Sequence, residues 1–445
     1  MKIKLTKGYD LPIAGAVAAY AGTRDIKAAA VAVAPGDFPG FVPKPDVSPG
    51  DVVGAGAPLM HDKTYPGLKL VSPLGGKVTA VVRGERRKLL QVVVEAEDGI
   101  EPQRFDTRQL TREKAVALLA GSGLMAMMRR RPYDIVPDPC EVPRDIFVTA
   151  IYSAPLELPL AARVGEADVE LLELGTALLA SLTPGKVYIS HDKAWTLGRV
   201  KGAEMVEFRG KHPVGNVGVQ ISNIKPVNKG ESVWTLDVET LRRVGYLMKH
   251  GVVDTSAVVG IVGPAVEEPC VVRTSVGAAV APLLAAAGVV ADGHHHRVVS
   301  GNVLVGTAID ADGYLHYPYR LLTVLDNGDD IDEFMGWASL SPSKMSVYRS
   351  FPGHFLKRLF RPDARLLGGR RAMILSGEYD AMMPMDILPE YLLKAIIARD
   401  IDKMEQLGIY EVAPEDFALA EYADTSKIPL QHIVREGIEF MRKEV

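Results

Sequence analysis

Cysteine is nearly absent. Cys140 and Cys270 are the only two in 445 residues, and they form no CxxC pair. This scarcity argues against a disulfide framework, a cysteine zinc site and an iron–sulfur cluster ligated by this chain. It fits the reducing cytoplasm. Long apolar runs are missing too. The longest uncharged run, between Arg273 and Asp292, contains Thr274, Ser275, Gly277, Pro282 and Gly288. A spanning helix needs about 20 mostly apolar residues, so the run reads as a buried helix and no membrane crossing is expected. Met1–Lys7 alternates like a strand and lacks the apolar core of a signal peptide. Positive charge is not in excess either. The net charge of −4 gives no electrostatic case for nucleic acid. What is present, 47% hydrophobic and 24% charged residues, describes an ordinary folded chain, long enough for about three or four domains of ~100–200 residues.

Four regions are expected, together a mixed α/β multidomain chain. In the first, 1–105, short β-rich pieces alternate with Pro/Gly turns such as Ser48-Pro49-Gly50 and Ser72-Pro73-Leu74-Gly75-Gly76. The pattern resembles the barrel-sandwich hybrid of biotinyl and lipoyl carrier domains. The matching hairpin holds Lys63 and Lys69 but no Met-Lys-Met signature, so both lysines read as solvated turn residues. In the second, 106–256, Thr111 is the expected N-cap of a helix interrupted at Gly121-Ser122-Gly123. Strands follow at 146–151, 186–190, 204–208 and 232–236, with helices at 166–182 and 239–250. This is the alternation of a Rossmann-like sheet.

The third region, 257–330, reads as a compact β-grasp module, with strands at 257–263 and 297–306 and an Ala-rich helix after Thr274. Its His294-His295-His296 run invites a metal. Adjacent loop imidazoles cannot all face one ion, and no carboxylate spacing matches, so the run reads as a solvated loop and no metal site is expected. The fourth, 331–445, is a helical bundle whose Pro389, Pro414 and Pro429 suit first helical turns. Met382-Met383-Pro384-Met385 reads as core packing. The basic, aromatic stretch from Tyr348 to Phe360 is either a connector or a surface for a partner or membrane.

One stretch bears directly on function: Arg209-Gly210-Lys211-His212-Pro213-Val214-Gly215-Asn216-Val217-Gly218, which follows the strand at 204–208. Glycines there let the backbone approach an anion closely. His212, Gly215 and Gly218 are the candidate nucleotide-type residues. The G-x4-G-x2-G spacing is neither GxGxxG nor a Walker A, and a tight turn without a ligand is the competing reading. As a free-standing enzyme, the protein would use His212 as an acid/base near neutral pH.

The series of parts resembles the A-subunit family of the bacterial sodium-translocating NADH:quinone oxidoreductase (Na+-NQR). The resemblance is carried by Lys7-Gly8-Tyr9-Asp10-Leu11-Pro12-Ile13-Ala14-Gly15, Arg83-Gly84-Glu85-Arg86-Arg87, His212 to Gly218, and Met383-Pro384-Met385-Asp386-Ile387-Leu388-Pro389. It is more distantly similar to the C-subunit of the Rnf complex and the flavoprotein of respiratory complex I. In those relatives the second region binds flavin and NADH and the last carries an iron–sulfur cluster. Here Gly121-Ser122-Gly123-Leu124-Met125 replaces their dense glycine loop, Asn216 and Val217 stand where they have acidic residues, and the last region has no cysteine. The resemblance therefore implies a peripheral protein on the cytoplasmic face, with no catalytic residues, flavin or cluster of its own. It would sit in a complex holding flavins, Fe–S, NADH, quinone and Na+, beside integral-membrane subunits, as a structural and regulatory part near the quinone-reducing end with quinone as a candidate partner of its own.

Overall fold

The computed structural model describes residues 1–444 except 19, 21, 290–294, 330, 332–340, 350, 375 and 376. Among these, no helix is long and apolar enough to cross a membrane. Four sheets organise the chain. Two of them, one built on Ala30–Val33, Gly76–Arg83 and Leu89–Ala96 and the other on Pro43–Pro45, Pro58–Asp62 and Lys69–Val71, bury Leu59, Met60, Leu70, Val78 and Val92 in a common core. This is the expected small β sandwich.

The central sheet contains β1 (Lys2–Lys4), β2 (Arg129–Arg131), β3 (Ile146–Thr149), β4 (Val187–His191), β5 (Ala203–Arg209) and β6 (Val233–Asp237), in the order β1-β5-β4-β3-β6-β2. All neighbours are parallel except β2 against β6. Side chains alternate across β3. Ile146 and Val148 face a core shared with α2 (Val169–Ala180) and α4 (Val238–His250), while Phe147 joins Tyr188, Phe208 and Ile221 of α3 (Val217–Ile224) on the other face. Covered on both sides, β3 and β6 are mostly apolar.

Helix ends follow local chemistry. Thr111 caps α1 (Arg112–Gly121) by accepting the Lys114 N–H, and Asp237 caps α4 by accepting from Thr240. Beyond α1, Met125 and Met128 are fully buried in the core, so bulk fills the place of the relatives' glycine loop.

The third sheet joins Ser256–Val262, Cys270–Ser275, His296–Ser300, Thr307–Ile309 and Leu321–Asp326. Two expectations change here. The strand read at 297–306 stops at Ser300, because the Asn302 carboxamide oxygen accepts from Leu304 N–H and Val305 N–H and turns the chain. Leu321–Asp326, for which no strand is expected, forms one, buried from Leu321 to Leu325 with Asp326 exposed. In the last region Pro389–Ala398, Ala418–Ala423 and Leu430–Glu444 pack around Leu392, Phe417, Val434 and Met441, with Met383 and Met385 also in that core.

The first hundred residues do not form one separate block. β1 pairs with β5 of the central sheet, and Arg24–Asp25 pairs with Cys270–Ser275 of the third. Between them, Lys7–Gly15 stitches the regions together. Gly8 N–H donates to Ala381 O, Tyr9 N–H to His212 O, Ala14 N–H to Phe360 O, and Gly263 N–H to Gly15 O. Gly8 (φ +111°) lies against the His212 carbonyl and Gly15 (φ +94°) against Gly263, with no room for a Cβ at either.

Helices α2 and α4 meet through two glycines. A Cβ on Gly245 would run into the Leu171 carbonyl, and one on Gly175 would sit 2.5 Å from Leu241 O. Gly245→Ala should therefore destabilise the fold by about 1–3 kcal/mol through overpacking. The check is a lower urea midpoint with an unchanged slope.

Candidate functional site

The glycine loop connects the carboxyl end of β5 to the N-terminus of α3. His212 is 4% exposed. Its Nδ1 lies 3.1 Å from Ser153 Oγ, and its backbone N–H donates to Asp10 Oδ1 at 2.9 Å. Burial pushes its imidazole down to about 4, with Asp10 only partly opposing. The near-neutral acid/base role is therefore corrected. The ring is neutral at pH 7 and packed in the protein, and Asp10 serves the backbone of His212 rather than its ring. Gly215 N–H donates to Ser153 Oγ at 2.9 Å, and a Cβ there would lie 2.7 Å from both Ile151 O and Ser153 Oγ. Gln220 ties α3 to β3 by donating to Thr149 Oγ1 at 2.9 Å and to Val214 O at 3.1 Å.

Gly218 lies in the first turn of α3. The Asp416 carboxylate, from the turn before Ala418–Ala423, packs against it, where a Cβ on Gly218 would collide with it. Asp416 Oδ2 accepts from Ala413 N–H at 2.9 Å, and the Asn216 amide donates to Glu415 O at 3.0 Å and Asp416 Oδ1 at 3.4 Å. A carboxylate beside the first turn of a helix is favourably placed. Arg131 of β2, only 1% exposed, closes the group, with Glu415 Oε1 at 2.8 Å, Asp416 Oδ2 at 3.5 Å and Asp134 Oδ1 at 3.8 Å. Arg435 adds a second cation, 2.7 Å from Asp134 Oδ2. Two guanidiniums thus face three carboxylates. Burial raises the Glu415 carboxyl to about 7; Arg131 pulls it down, and the neighbouring Asp416 and Asp134 push it up.

Beside this group lies a cleft of about 120 Å³, lined among others by Thr149, Tyr152, Glu157, Asn216, Arg320 and Glu415. It opens at the carboxyl ends of β3 and β5. Tyr152 stands between two guanidiniums, with Arg163 4.6 Å and Arg320 5.2 Å from its ring centroid. Arg163 pairs with Glu157 at 2.9 Å and Glu239 at 3.2 Å, and Arg320 lies 3.6 Å from Asp237. Burial and the Glu239 and Asp237 carboxylates raise the Tyr152 phenol, whose buried hydroxyl has no hydrogen-bond partner among the described residues. The cleft offers charge and hydrogen bonds, but its volume is small for a nucleotide.

Three family profiles cover most of the chain. They are described as the NqrA N-terminal barrel-sandwich hybrid domain (residues 3–97), the NqrA second alpha/beta domain (110–253) and the NQRA C-terminal domain (258–311). The A-subunit of the Na(+)-translocating NADH-quinone reductase of Serratia proteamaculans is 37% identical over 453 residues, covering 99% of this chain and 100% of that protein. The chain belongs to the NqrA family. Its counterparts from Yersinia pseudotuberculosis and Pasteurella multocida, which carry the same description, each match at 35% with the same coverage. An NAD+-reducing [NiFe]-hydrogenase in its H2-reduced state aligns at a TM-score of 0.37 and 14% identity, covering 76% of this chain and 62% of that one. That likeness carries no argument.

In this NqrA-family chain, His212, Gly215 and Gly218 come together as the sequence placed them. Arg131, Glu415 and Asp416 were missed. Their signals were a run of three arginines ahead of Pro132 and a Glu-Asp pair after Pro414, each of which reads equally well as surface. Lys69 is held by Asp46 at 3.2 Å, while Lys63 is exposed. His294 lies outside the described residues. His295 and His296 face different carboxylates, Asp329 at 3.6 Å and Asp326 at 3.5 Å.

Asp416→Ala should cost about 1–3 kcal/mol, because Arg131 and Ala413 N–H each lose a buried acceptor; chemical denaturation measures it. The proton on Glu415 gives a second test. A carboxyl whose folded-state pKa is raised stabilises the fold fully below its unfolded value of 4.5, and the contribution is lost as pH rises through about 7. Stability should fall across that window, and Glu415→Gln should flatten the fall.

Proposed function

We propose that this chain is a peripheral component, on the cytoplasmic face, of a respiratory complex that oxidises NADH, reduces quinone and exports Na+. Its role is structural and regulatory near the quinone-reducing end, and it holds no flavin or iron–sulfur cluster itself. The match over 99% of the chain to relatives named as part of that reductase is the observation that carries the reading. The lack of a spanning helix among the described residues fits attachment to integral-membrane partners. The Asp416 carboxylate at Gly218 supports the absence of a bound nucleotide, since a phosphate would meet a buried negative charge there.

The same reading extends to the domains. A Rossmann-like second domain, 106–256, is supported by the strand order β5-β4-β3-β6, third-second-first-fourth among the strands from β3 to β6, and by helices on both faces. A β-grasp third domain, 257–330, is supported by a mixed sheet beside the short helix Ala281–Ala286. The sandwich and helical parts complete the division at 1–105 and 331–445.

Affinity purification of the tagged chain from native membranes should bring down integral-membrane subunits and a separate flavoprotein. The chain stripped of them should be colourless, and NADH, FMN and ATP should leave its melting temperature unchanged. Tightly held pigment, or a saturable shift with one of the three, would overturn the reading.

A further inference from the structure

Residues 355–374, Phe-Leu-Lys-Arg-Leu-Phe-Arg-Pro-Asp-Ala-Arg-Leu-Leu-Gly-Gly-Arg-Arg-Ala-Met-Ile, carry six Lys and Arg against one Asp. This is a local charge of +5 in a chain of −4, which leaves −9 for the remaining residues. The same stretch exposes Phe355 (66%), Leu359 (63%), Leu366 (63%) and Ile374 (58%), with Leu356 and Leu367 also more than a third exposed.

The segment is not a loose loop. Phe360, 3% exposed, anchors it from within, and its backbone pairs with Pro12 O and Ala14 N–H at 2.8 and 2.7 Å. Ala364 N–H then donates to Asp326 O at 2.9 Å and Arg371 N–H to Ser426 O at 2.8 Å. The strap is thus tied to three separate parts of the chain while its large apolar side chains stay in water. Six such side chains within twenty residues is the concentration that marks an interaction surface rather than scattered exposure.

We infer that this strap seats the protein on an anionic lipid surface. Cations interleaved with Phe and Leu suit a bilayer interface, where the apolar side chains enter the acyl boundary and the charges meet phosphate headgroups. Arg358, exposed on the strap, lays its guanidinium over the Phe360 ring at 5.1 Å and donates to Pro342 O, which fixes one cation of the strap in place. The sign of the charge selects the lipid, because the rest of the chain is acidic and is repelled by the same headgroups. This deepens the peripheral reading above, on which it rests, by naming the face that meets the membrane.

The test uses the purified full chain without its partners. It is sedimented with vesicles of phosphatidylcholine containing one-third phosphatidylglycerol, and with phosphatidylcholine alone. Binding should be about tenfold stronger to the anionic vesicles and should weaken at high salt. The double variant Lys357→Glu/Arg370→Glu and the triple variant Phe355→Ser/Leu359→Ser/Leu366→Ser should each lose about tenfold, with melting temperatures unchanged because every site is exposed. Equal partition to both vesicles, or variants that bind like the parent, would overturn the inference. If the variants keep vesicle binding but lose copurification with the membrane subunits, the strap belongs to a protein partner and the lipid assignment falls, while the proposed function stands.

Discussion

A guanidinium withdrawn from water must be answered by charge or it expels the structure around it. Arg131 is answered by Asp416, 285 residues further along the chain. That pairing spans β2, the edge of the central sheet, and the turn that opens the last helices. Asp416 also fills the space over Gly218 at the start of α3. One ion pair therefore ties the helical region to the central sheet and sets a carboxylate against the first turn of α3. Burial is the first cause of the raised Glu415 carboxyl, with Asp416 and Asp134 adding to it and Arg131 and Arg320 opposing.

The N-terminal thread works beside this lock. Gly8 and Gly15 adopt backbone angles open to glycine and lie against carbonyls of other regions, so Lys7–Gly15 serves as a seam rather than a lead-in. Its bond from Tyr9 to His212 holds the same loop whose far end Asp416 closes. The loop is thereby fixed at both ends. The depressed His212 imidazole is one consequence: a ring enclosed by the seam, Ser153 and the sheet has lost the water that would stabilise its charge.

Much of the fold was legible. Period and caps identified α1, α2, α4 and the strands β3 to β6, because covered strands are rich in apolar residues and a helix can announce its start through a residue such as Thr111. The glycine loop was legible as a loop. The missing parts were those whose meaning depends on a distant partner. Arg129–Arg131 looks like a charged terminus, yet it is an edge strand with a buried arginine. Leu321–Asp326 has no alternation to mark it, because both its faces are covered.

Residue order alone set the kinds of parts: a sandwich, an α/β sheet, a second mixed sheet and a helical region. These follow from periodicity, turn residues and side-chain chemistry, which act within a few residues. Folding in three dimensions was needed to bring the first strand into the central sheet, to seal His212 and to stand Asp416 at Gly218. Those outcomes depend on desolvation and ion pairing between residues hundreds of positions apart, and no local pattern encodes which buried charge meets which.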